Sequence, residues 1–111
     1  MTPDQFRQAA LSIPGASESS HMNHPDFRIA GKIFATLGSP DAAWGMVKLT
    51  PEQQKRLVRQ SADVFLPAKG AWGRQGSTNV CLASVDLRLL RPALALAAGN
   101  VLASISAKKL P

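Results

Sequence analysis

The chain has a single cysteine, Cys81, among its 111 residues, which makes an internal disulfide impossible. No leader is read at the N-terminus either, because MTPDQFRQAALSIPG has no basic segment followed by an apolar one. No apolar run is read as approaching the roughly 18–20 residues that cross a bilayer, so a membrane partner is not expected. Together these absences point to a reducing cytoplasm. Acids are scarce and scattered, with Asp4, Glu18, Asp26, Asp41, Glu52, Asp63 and Asp86 set against 13 lysines and arginines. The resulting charge of +6 and pI near 10.3 suit a polyanionic partner, since attraction to phosphates raises encounter rates and supports nonspecific affinity. A merely solvated basic surface has the same composition, so the placement of the charges decides. With 45% hydrophobic and 18% charged residues, the chain reads as one globular domain over 1–111, long enough for one modest core.

Residues that carry chemistry are few. The two histidines stand three apart, as His21-x-x-His24, with Glu18 and Asp26 nearby. Two imidazoles and a carboxylate could share a metal ion. However, a continuous strand throws positions i and i+3 to opposite faces, and Pro25 follows at once. The segment therefore reads as the approach to a strand, with one histidine packed at the strand end and the other solvated, and no metal site is expected. Cys81 lies in the apolar stretch Val80–Leu82 without an activating neighbour, so it reads as a structural thiol rather than a nucleophile. Gly70-Ala71-Trp72-Gly73-Arg74-Gln75-Gly76 lacks the lysine and the strand-to-helix setting of a phosphate loop and reads as a hairpin bending at glycines.

What is present is strong boundary punctuation. Thr2-Pro3-Asp4-Gln5 and Thr50-Pro51-Glu52-Gln53 each offer a threonine cap, a proline at the first helical position, an acid in the first turn and a glutamine able to close a capping box. In the first helix Phe6, Ala9, Ala10 and Ile13 form an apolar stripe that Pro14-Gly15 ends. In the second, Leu57, Val58 and Ala62 face inward. A third helix starts near Asp86 and carries Leu87, Leu90, Leu94, Ala98 and Val101, although Pro92 demands either a later start or a kink.

Between the helices the period changes to two. Phe27 and Ile29 alternate with Arg28, and Ile33, Ala35 and Leu37 alternate with Lys32, Phe34 and Thr36, with Ala30-Gly31 as a tight turn between them. Trp44–Leu49 forms another strand and Val64–Leu66 a short one. Trp72–Gln75 is expected to pair with Thr78–Ala83 across Gly76-Ser77. Hairpin-linked strands with separate helices imply an α+β domain, an antiparallel sheet with helices packed on one face. If Val47 and Leu49 point to the core, Trp44, Met46 and Lys48 point to the other face, where Lys32 with Phe34 and Trp72 with Arg74 are also expected.

These residues resemble a known family. PDFRIAGKIFATL, WGMVKLTPEQQ and FLPAKGAWGRQGSTNV are similar to the corresponding segments of the MmcQ/YjbR family of small bacterial proteins, and the likeness runs from the first helix through the last. The resemblance implies the architecture of bacterial frataxin homologues and of the double-wing domain of a phage transcription factor, whose curved open sheet face is the DNA-binding surface proposed for such proteins. It implies no catalytic residue and no cofactor. Frataxins hold iron on an acidic helix ridge, whereas the first helix here offers only Asp4, so iron handling is not expected. No helix-turn-helix or zinc-finger signature is present.

The expectation is therefore a non-enzymatic, DNA-binding protein that contacts the DNA backbone weakly or without sequence preference. Arg28, Lys32, Lys48, Lys69 and Arg74 would face phosphates, with Trp72 or Trp44 supporting. The alternative is a protein-interaction domain using the same open face. A monomer or weak homodimer is expected, since an uncovered sheet edge can pair two chains.

Overall fold

A computed structural model describes residues 1–109 of the chain. The two capping signals become two helices. In α1 (Pro3–Leu11) the Thr2 hydroxyl accepts from the Gln5 N–H at 3.1 Å, while Gln5 Oε1 accepts from the Thr2 N–H at 2.8 Å. Thr50 and Gln53 repeat this reciprocal arrangement at the start of α2 (Pro51–Gln60). The stripe on α1 buries Phe6, Ala9 and Ala10.

The strands are β1 (Ala16–His21), β2 (His24–Ile29), β3 (Lys32–Leu37), β4 (Trp44–Lys48), β5 (Phe65–Pro67) and β6 (Ser77–Cys81). They form one antiparallel sheet in the order β1-β2-β3-β4-β6-β5. The β2–β3 hairpin turns at Ala30-Gly31, with φ of 51° and 80°, as the sequence predicts. Strand β1 was not predicted. Its residues, ASESSH, lack apolar alternation because an edge strand with little of either face covered needs none, and only Ala16 is even half-buried.

The glycine-rich segment departs from expectation. Gly70–Arg74 forms a short helix, α3, rather than a strand. The reason lies in the sheet, for β6 already has β4 on one edge and β5 on the other, and a strand has only two edges. The segment instead closes a helical turn, with the Gln75 N–H donating to the Ala71 carbonyl at 3.0 Å.

A bulge corrects the reading of β3. Phe27 pairs with Ala35, but the next residue, Arg28, pairs with Ile33. Phe34 is the extra residue and is fully buried in the core, so it leaves the open face to Ile33, while Lys32, also expected on the open face, pairs with the core residue Ile29 and stands on the helix-covered side. In α2 the inward position falls to Gln54, with Leu57 and Val58 half-buried; Ala62 lies past the helix end and is exposed.

Helix α4 (Leu87–Lys109) begins where Asp86 Oδ1 accepts from the Leu89 N–H at 2.9 Å. It continues through Pro92. Pro92 and Arg88, whose carbonyl would otherwise receive the missing N–H, are both exposed, so water can satisfy that carbonyl. Leu90, Ala93, Leu94, Ala97, Ala98 and Val101 recur at helical spacing and are buried against the sheet and α1. By length and composition alone, Leu87–Ala107, with mean hydropathy 1.4, is apolar enough to cross a membrane, contrary to the expectation that no such run exists. Here its apolar stripe covers the sheet. With Phe6, Phe27, Phe34 and Phe65 it makes one core, each fully buried large side chain contributing roughly 1.5–3 kcal/mol.

Candidate nucleic-acid interface

The register fixes which side chains share the face away from α1 and α4. A row crosses the whole sheet through Ser19, Asp26, Thr36, Met46, Asn79 and Leu66, each paired with the next. Cross-strand partners project from the same face. Beside this row lie the pairs Arg28–Ile33, Lys48–Ser77 and His21–His24.

The histidine pair corrects an argument from the sequence. β1 and β2 are joined by only two residues, Met22 and Asn23, with φ of 49° and 67°, a turn of the I′ kind. Residues i and i+3 across such a turn are partners on one face, whereas on a continuous strand they would oppose each other. Met-Asn lacks the glycine that marks most such turns, which hid the hairpin. Both imidazoles line the same hollow. Among the described residues no group of three or more His, Cys, Asp or Glu side chains is placed to hold a metal ion.

Asp26 is fully buried although it belongs to the open face. Its carboxylate accepts from Arg28 Nε at 2.7 Å and Arg28 Nη2 at 3.0 Å, and His21 Nδ1 lies 2.8 Å from Oδ2. The fork of the guanidinium covers the carboxylate. This hydrogen bonding to Arg28 outweighs burial and, with His21 adding to it, holds the Asp26 carboxyl below its ordinary value. The same bond raises the Arg28 guanidinium. Arg28 thus turns two of its donors to Asp26, a commitment the sequence reading did not foresee.

Two hollows meet at Lys48 and Trp72, the first on this face and the second at the end of the sheet beside α4. One, of about 670 Å³, is lined by His21, His24, Met46, Lys48, Lys69 and Trp72 among others. The second, of about 600 Å³, is lined by Arg28, Lys32, Gln75 and Asn100, and shares Lys48 and Trp72 with the first. Together with Ile33 and Ser77 these residues lie where the hollows meet, and Lys48 Nζ is 6.0 Å from the Trp72 ring centroid, within cation–π range. Trp72 is 67% exposed. Neither lining contains an aspartate or glutamate.

Of the residues singled out from the sequence, Lys48, Lys69 and Trp72 meet at the first hollow, and Arg28 and Lys32 join Lys48 at the second. Arg74 is exposed at the end of α3 and lines neither, and Trp44 is half-buried on β4 away from both. Cys81 is half-buried, paired in the sheet with Trp44.

Comparison with known proteins now places the chain. The YjbR family model matches residues 11–96. The chain belongs to the YjbR family. The matched segment contains every residue lining the first hollow. The crystal structure of Deinococcus radiodurans protein DR2400, which carries the family domain DUF419, superposes with a TM-score of 0.68 at 18% identity, over 84% of this chain and 72% of that one. That likeness shows the fold: a sheet with helices on one side, as in this YjbR chain. No curated protein matches the chain in sequence.

Proposed function

We propose that this YjbR chain binds DNA through its open sheet face, in a binding rather than a catalytic role, by contacts to backbone phosphates. The observation that carries the reading is electrostatic. Lys48, Lys69, Arg28, Lys32 and the two imidazoles line the hollows, while no carboxylate does, and the one acid beneath the face is neutralised by Arg28. Low-dielectric walls lined by charge of one sign concentrate the field and draw in an anionic ligand.

The test is anisotropy of a labelled DNA titrated with protein at several salt concentrations. On duplex DNA, binding through three or four phosphates gives a slope of log K against log salt of roughly −3, at about 0.9 per phosphate. A protein partner on the same face is the second reading, favoured by the exposed Met22 and Trp72 at the first hollow. It predicts no appreciable DNA binding at low salt, and partner binding that depends little on ionic strength.

A further inference from the structure

We infer that the nucleic acid taken by this face is single-stranded, with an unpaired base stacked on Trp72 and the flanking phosphates held by Lys48 and Lys69. The inference rests on the DNA-binding reading above and specifies its ligand.

Three observations carry it. The first is the ring itself. An indole left 67% exposed forgoes most of the burial that makes tryptophan favourable in a fold, and the packing gives no reason for it. Yet the ring does not sit on a loose loop. The carbonyl of Gly73, the next residue, accepts from buried Gln54 at 3.0 Å, and Gly73 is packed against Ala68 so closely that a Cβ would lie 1.7 Å from its carbonyl oxygen. A rigid platform of this kind suits a planar ligand.

The second is the company it keeps. Lys48 lies at the ring, and Lys69, three residues before Trp72, lines the same hollow. Aromatic ring and flanking cations form the combination by which proteins hold unpaired strands, bases on the ring and backbone on the charges.

The third is shape. A hollow of about 670 Å³ falls in the range of small-ligand pockets, which is the scale of a nucleotide. In a duplex the faces of the bases are covered by their neighbours and only their edges are presented in the grooves, so a duplex has no base face to offer the ring. Asn79 and Ser77, on the wall of the same hollow, provide an amide and a hydroxyl for base edges.

The experiment compares a labelled oligothymidine with a hairpin duplex of the same strand length, using the full chain at low and near-physiological salt. The expected result is at least tenfold tighter binding to the unpaired strand. In a Trp44→Phe background, the remaining Trp72 fluorescence should be quenched on binding. Trp72→Ala should weaken oligothymidine binding about 5- to 150-fold, the cost of one lost stack, while Trp72→Phe should keep most of it. Circular dichroism of both variants should match the parent, because the side chain is largely outside the core. Equal or tighter duplex binding that Trp72→Ala leaves unchanged overturns the inference and leaves the DNA reading standing. Binding of neither ligand at low salt overturns both.

Discussion

The side-chain amide of Gln54, in the middle of α2, donates to the carbonyl oxygen of Gly73 at 3.0 Å, and Gly73 directly follows Trp72. The same nitrogen lies 3.0 Å from the Ser77 carbonyl and 3.2 Å from Thr78 Oγ1. One buried glutamine thus ties α2 to both ends of the α3–β6 connection. It sets the position from which Trp72 meets Lys48.

Removing that amide should be costly. In Gln54→Leu the Gly73 and Ser77 carbonyls keep their backbone donors, the Gly76 and Ala68 N–H groups, but each loses its bond from the amide, at a net cost of about 0.5–1.5 kcal/mol per bond. Urea unfolding should show a lower midpoint with an unchanged slope. Oligonucleotide binding should weaken as well, since α3 loses the contact that orients Trp72.

Asp26 gives the fold an acid-sensitive component. Its folded-state carboxyl is held below the ordinary 3.8, chiefly by Arg28. A depressed value means that the folded chain binds the proton less readily than the unfolded chain. The stabilisation is therefore complete above about pH 5 and is lost as pH falls through and below 3.8. Asp26→Asn should lower stability by about 1–3 kcal/mol at pH 7, since Arg28 keeps part of its exposure to water. The difference from the parent should shrink steadily between pH 5 and pH 2. A difference independent of pH would show that the charge on Asp26 contributes nothing.

Gly76 admits no side chain. Its φ is +115°, and a Cβ there would lie 1.9 Å from the Leu49 carbonyl oxygen, a backbone atom that cannot turn aside. Gly76→Ala should cost more than about 3 kcal/mol, through backbone strain and steric overlap together. Gly99→Ala is the control. It lies in α4 with open space around the added methyl, and should raise stability by about 0.5–1 kcal/mol. Thermal unfolding of the two variants should move in opposite directions.

Charge reversal should sort the cations by place. Lys48→Glu and Lys69→Glu should each weaken DNA binding and reduce the salt slope by at least about 1. Arg74→Glu should do less, because Arg74 lines neither hollow. Equal effects from all three would mean that net charge, rather than the geometry of the face, governs binding.

The local elements that the sequence predicts correctly are those whose signal is local. Thr2–Gln5 and Thr50–Gln53 start helices because cap, proline and glutamine act within one turn. Ala30-Gly31 turns a hairpin because its neighbours alternate in hydrophobicity and the turn needs positive φ. Where reading failed, the deciding partner was distant. Strand β1 exists because β2 offers it an edge, and its polar residues carry no pattern of their own. Phe34 joins the core because one extra residue is taken up opposite Phe27–Arg28, a choice made by the pairing of two strands.

By itself, then, the sequence determined the α+β class, the apolar stripes, most element boundaries and the excess of positive charge. Those properties follow from dihedral preference, side-chain period and composition, which act over a few residues or over none. Tertiary structure decided that Lys48 would meet Trp72, that His21 and His24 would share a face, and that Arg28 would cover Asp26. It also decided that Arg74 would fall outside the hollows. Each of these depends on register and on which strand edges are already occupied, and a shift of one residue in register sends every side chain of a strand to the opposite face.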